Sequence, residues 1–151
     1  FLPFAGGYFL SYFFRNVNAL IAPQLVSELD LSAADLGLLT AAYFLTFGAF
    51  QIPLGLLLDR FGPRRVQSCL LLVAAAGAVV FGWGEGILSL IIGRGLIGLG
   101  VAGGLMSAFM AFVLWFPRER LPLVNGFYMA FGGLGALAAT EPLEAALIAT
   151  H

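Results

Sequence analysis

Charge is what this chain of 151 residues has least of. Asp, Glu, Lys and Arg make up only 10% of it, against about 25% in an ordinary soluble domain. Water is therefore not the solvent for most of its surface. Lysine is missing altogether, since all seven basic residues are arginine, a bias with no physical account. The arginines are scattered between apolar runs and the net charge is −1. No basic stripe exists to hold nucleic acid. A single cysteine, Cys69, excludes an internal disulfide and a cysteine-based metal cluster; it is expected as a small buried apolar residue. The single histidine is His151. With no His or Cys cluster, no nucleophile–base pair and no phosphate loop, neither an enzyme nor a cofactor or metal is expected.

Apolar residues fill the space that charge leaves. They make up 61% of the chain, with a mean hydropathy of +1.01. Five apolar segments stand out, at about 2–26, 33–58, 66–83, 87–116 and 122–150. The chain's longest uncharged stretches exceed the ~18 residues that mark a membrane span. Each is expected to be a helix, because unpaired backbone groups are costly in hydrocarbon. Runs such as LLLVAAAGAVV do not alternate as barrel strands do. Ser32 and Asp35 form a capping box that opens the second helix. Pro23 and Pro53 are expected to bend their helices. The chain opens on Phe1 inside an apolar run with no cleavage site after it, so a truncated fragment is expected rather than a signal peptide.

Arginine placement gives an orientation. The connection after segment two holds Arg60, Arg64 and Arg65, and the connection after segment four holds Arg118 and Arg120. The other two connections hold only Glu28, Asp30, Asp35 and Glu85. By the positive-inside rule the arginine-bearing loops, 55–65 and 117–122, face the cytoplasm. Trp83 and Trp115 mark segment ends at the interface.

A few polar residues interrupt the apolar runs. Arg15 lies roughly 16 Å from the outer end of segment one, near the middle of a ~30 Å core. A central arginine costs about 2.5–3.5 kcal/mol, so it must face water or a partner. Tyr12, Asn16 and Asn18 surround it, either as an anion-binding cluster or as helix–helix hydrogen bonding. Arg94 lies roughly 10 Å below the outer surface. Folding segments four and five as a hairpin brings it level with Glu144 and Glu141, as an ion pair unless those acids sit in an outer loop. Thr40, Tyr43, Thr46 and Gln51 line a cavity or, preferably, bond to neighbouring helices. The glycines of segments four and five, with Gly100 and Gly104 spaced as GxxxG, are read as close-packing positions. Gly93, Gly95 and Gly98 imitate a dinucleotide fingerprint but follow no strand.

GLLLDRFGPRR at 55–65 resembles the loop 2–3 signature of the major facilitator superfamily. Gly55, Asp59, Arg60, Gly62, Arg64 and Arg65 fit it. The resemblance implies a cytoplasmic gate latch, helped by a carboxylate at a helix N-terminus and by charge pairs that bias one of two packings. YFFRNVN at 12–18 is similar to a helix-one pattern of the anion:cation symporter branch, whose members carry sugar acids and other organic anions. By that likeness Tyr12 and Arg15 contact the substrate carboxylate, and Asn18, Gln51 and Arg94 join the candidate set. GRGLIGLG and WFPRER (93–120) resemble the same branch, but Val101 stands where an acid tied to proton coupling is common. Either the coupling has moved, to Glu141 or Glu144, or the branch differs. Segment five lacks the Gly-Pro motif of drug exporters.

The resemblance implies an all-α membrane protein, five transmembrane helices of a six-helix N-terminal bundle, with the C-terminal six-helix half absent. The expected function is secondary transport of a small organic anion by alternating access, coupled to a proton or cation, in a bacterial inner membrane. The competing expectations are a drug exporter of the same superfamily and a non-transporting helical scaffold or sensor.

Overall fold

A computed structural model describes residues 1–29 and 31–140, the side chains of 18–25, 28 and 29 excepted. Among the described residues every regular element is helical. The order is α1 (Leu2–Leu29), α2 (Ala33–Ala49), α3 (Gln51–Phe61), α4 (Pro63–Gly82), α5 (Ile87–Val101), α6 (Gly104–Trp115), a 3₁₀ turn (Arg118–Arg120) and α7 (Leu121–Ala138).

Three stretches are long and apolar enough to cross a membrane: Pro63–Gly82, Ile87–Trp115 and Arg118–Ala138. The bent pair α2 and α3 makes a fourth if it counts as one span. Arg15, Asn16 and Asn18 dilute the apolar character of α1, whose 28 residues nonetheless rise about 42 Å. Exposed apolar surface is abundant: Ile52 is 82% exposed, and Leu45, Leu56 and Leu72 are nearly as open. Such exposure is costly in water and neutral in hydrocarbon.

Two expected segments are interrupted. Where the sequence suggests one helix over 33–58, α2 and α3 meet at Phe50 with a 45° bend. Pro53 has no N–H to donate to the Ala49 carbonyl, so the ladder loses one rung there. Where it suggests one helix over 87–116, residues 102 and 103 form a turn between α5 and α6. Ala102 N–H there donates to Leu99 O at 3.2 Å, a tightened i→i+3 bond, and the Gly103–Gly104 pair favours the break. The capping box stands as expected: Asp35 N–H donates to Ser32 Oγ (3.2 Å) and Ser32 N–H to Asp35 Oδ2 (2.8 Å).

The described residues divide into two compact units, one within 22–103 and one of 1–21 with 104–140. In the first, α5 packs against both α2 and α4. Glycines set these contacts. A Cβ on Gly98 would strike the Tyr43 carbonyl of α2, and one on Gly100 would strike the Ala74 backbone of α4. One on Gly77 would lie 2.8 Å from Ile97 N. Leu31, Leu39 and Leu90 form a buried cluster at the other end of these helices.

In the second unit α1, α6 and α7 share an aromatic core of Phe4, Tyr8, Phe112 and Tyr128 with Ala5, Ala108 and Ala111. Tyr8 stacks on Tyr128 with centroids 4.4 Å apart, and Phe112 meets Tyr128 edge-on at 5.3 Å. Gly132 presses on the Tyr8 ring and Gly135 on the Phe9 carbonyl. The GxxxG glycines therefore serve different partners: Gly100 meets α4, whereas Gly104 lies beside Tyr8.

Candidate functional site

α1 positions a rung of polar aromatic groups. Tyr8, Tyr12 and Arg15 sit four and three residues apart, the spacing that puts side chains on one helix face. Tyr8 OH donates to Tyr12 OH at 3.3 Å. The Arg15 guanidinium lies 5.2 Å from the Tyr12 ring centroid, a cation–π arrangement. Asn16 Nδ2 donates to Tyr12 O at 2.8 Å. Tyr12, Arg15 and Asn16 are half-buried. The side chain of Asn18 lies outside the described residues.

α6 and α7 support this rung from behind. Tyr128 is fully buried and its hydroxyl donates to Gly104 O at 2.6 Å. With its ring stacked on Tyr8, it holds the Tyr8–Tyr12–Arg15 row in place. Ser107 Oγ and Asn125 Oδ1, in the same unit, are buried polar atoms with no hydrogen-bond partner among the described residues. A buried polar group without a partner costs about 1–3 kcal/mol. Tyr128→Phe is expected to cost about 1 kcal/mol, the worth of one hydrogen bond, while leaving the ring stack intact. Thermal unfolding in detergent measures it.

Of the other expected site residues, Arg94 is 2% exposed and stands 4.9 Å from the Phe81 ring centroid, within the α4–α5 packing. Glu141 and Glu144 lie outside the described residues, as does the expected extension of segment five to 150. Gln51 Nε2 donates to Ala102 O (3.3 Å) and Thr46 Oγ1 to Gly95 O (2.8 Å). Both follow the preferred expectation of bonds to a neighbouring helix. Thr40 Oγ1 donates to Leu36 O of its own helix, and Tyr43 is buried.

The loop signature closes a tight α3–α4 corner. Gly62 has φ +79°, a conformation that side chains disfavour, and its N–H caps α3 by donating to Leu58 O at 2.9 Å. Pro63 opens α4 with its φ already set for a helix. Asp59, Arg60, Arg64 and Arg65 are exposed, and Gly55 has open space beside it. One expectation is corrected: Asp59 lies in the last turn of α3, not at a helix N-terminus. There the dipole opposes a carboxylate and favours the adjacent Arg60. Cys69 is corrected as well, being exposed on α4 rather than buried.

Tyr8 and Tyr128 were not among the expected site residues. Tyr8 could have been found, since it precedes Tyr12 by one turn. Its pairing with Tyr128 joins residues 120 positions apart and leaves no local trace.

The sequence profile described as Major Facilitator Superfamily matches residues 4–151. The chain is 31% identical over 142 residues to a Cupriavidus necator protein named "Probable sulfoacetate transporter", covering 94% of this chain and 33% of that one. It is 28% identical over 149 residues to the hexuronate transporter of Escherichia coli, covering 96% and 33%. It is 30% identical over 126 residues to the phosphoglycerate transporter protein of Salmonella typhimurium, covering 81% and 26%. The chain thus spans a third or less of the length of these relatives.

Proposed function

The chain belongs to the major facilitator superfamily, and from that premise we propose that it forms part of a carrier for a small organic anion. It is an integral membrane protein, and its relatives are named transporters rather than enzymes. The observation that carries the proposal is the half-buried Arg15 laid over Tyr12, in the middle of a 28-residue helix whose first thirteen residues carry no charge. A guanidinium in hydrocarbon is costly, and a planar fork of donors suits a carboxylate or sulfonate. The relatives' printed solutes, sulfoacetate, hexuronate and phosphoglycerate, are all anions.

In this reading Arg15 meets the anionic group and Tyr12 sets its angle. Asn18 adds a polar contact. Gln51 and Arg94 contribute in a conformation that uncovers Arg94. Two six-helix halves rock about a midplane site, and the signature at 55–65 latches the cytoplasmic side. A proton carried by Glu141 or Glu144 drives accumulation across a bacterial inner membrane.

Proteoliposomes with an imposed proton gradient test the reading. Radiolabelled sugar acids and sulfonates should accumulate, and a protonophore should abolish the accumulation. A Glu141→Gln, Glu144→Gln double variant is expected to lose gradient-driven accumulation and keep solute counterflow. Accumulation that persists in the double variant would remove those acids from the coupling step. Failure of every organic anion to enter would remove the carrier reading itself.

A further inference from the structure

We propose that a groove between α3 and α4 holds one acyl chain of an anionic phospholipid, with Arg65 at its mouth receiving the headgroup phosphate. This rests on membrane residence alone and not on the solute. The groove has a volume of about 480 Å³ and lies within one compact unit. Leu57 and Phe61 of α3, Cys69 and Val73 of α4 and Leu99 of α5 form its wall, and among the described residues Arg65 is the one charged residue that lines it.

Geometry suits a lipid tail. Arg65, Cys69 and Val73 recur every four residues, so they form one stripe down α4. From Arg65 to Val73 that stripe descends about 12 Å. One leaflet contributes about half of the ~30 Å hydrocarbon core, so the groove runs through most of a leaflet. Exposed Cys69 and exposed Phe61 leave its side open.

Charge selects the headgroup. Arg65 lines the groove and is exposed at its rim. Arg64 and Arg65 occupy the first turn of α4, where the helix dipole disfavours cations. Helix stability therefore does not account for them, whereas a phosphate at the interface would complement Arg65 at the groove mouth. An apolar slot beneath a guanidinium fits a molecule that is anionic at one end and hydrocarbon at the other.

The test places the intact protein in phosphatidylcholine nanodiscs containing a trace of lipid with a diazirine in its acyl tail. The probe headgroup is either phosphatidylglycerol or phosphatidylcholine. After illumination, adducts on residues 66–73 are counted by mass spectrometry. The expected yield is about fivefold higher for the anionic probe, the preference one surface arginine gives. Arg65→Gln should bring the ratio to about one, and Arg65→Lys should keep it. Val73→Trp, which blocks the lower groove and spares the arginine, should lower the yield of both probes. Equal yields in the parent protein, an unchanged ratio in R65Q, or an unchanged yield in V73W would each overturn the proposal. So would an absence of adducts on 66–73, which would mean that another protein segment covers the groove.

Discussion

Arg15→Ala is expected to abolish anion uptake by the proposed full-length carrier while leaving membrane insertion intact. Truncating one partner of a desolvated charge pair costs about 2–5 kcal/mol, or roughly 30- to 4,000-fold in affinity. The other half of the argument is that the arginine is a burden to the folded protein. Removing a charge that costs about 2.5–3.5 kcal/mol in the core of a bilayer should not hinder insertion. Expression and thermal stability should therefore match or exceed those of the parent. Arg15→Lys retains the charge and loses the planar fork over Tyr12, so partial uptake with weakened affinity is expected. Proteoliposome uptake and detergent melting curves, measured on the same preparations, separate the two effects. Unchanged uptake in the alanine variant would defeat the site; lost uptake with lost stability would make the arginine a structural element.

Gly98→Ala is expected to be the most damaging single-methyl change in the unit that holds α2, α4 and α5. The added carbon would strike the Tyr43 carbonyl, and Thr46 Oγ1 stands 2.8 Å away on the same side. Backbone cannot move aside as the end of a long side chain can, so α2 and α5 must separate. Overpacking of this kind costs about 1–3 kcal/mol. Gly95→Ala supplies the contrast on the same helix. Its Cβ would meet only Thr46 Cγ2, at an ordinary 3.5 Å, and alanine is the better helix former by about 1 kcal/mol. Gly95→Ala should be neutral or stabilising. Unfolding midpoints in detergent that fail to separate the two variants would contradict the packing described for α5.

The sequence exposes what is local and hides what is distant. Long uncharged runs mark the helices, because hydrocarbon forces their backbone bonds inward. Ser32 and Asp35 announce the start of α2, three residues apart, and Pro53 announces the bend three residues before it. The pattern of Gly62 with Pro63 marks the α3–α4 corner. The turn at 102–103 was not foreseen, because GxxxG signals close packing without saying whether the helix continues. The facing of each glycine was equally hidden: Gly98 serves α2 and Gly100 serves α4, two residues apart on one helix. Arg15 and Tyr12 were readable as neighbours at i, i+3. The support that Tyr128 gives them depends on the packing of α1 against α7, which no short pattern encodes.

Glycine contacts on opposite sides of α5 have a mechanical consequence. Backbone resting on backbone leaves no side chains to repack, so sliding would have to break the fit on both sides at once. α2, α4 and α5 therefore travel together as one solid block. Any bending inside this unit is left to its joints, and the missing rung at Pro53 makes Phe50 the softest of them.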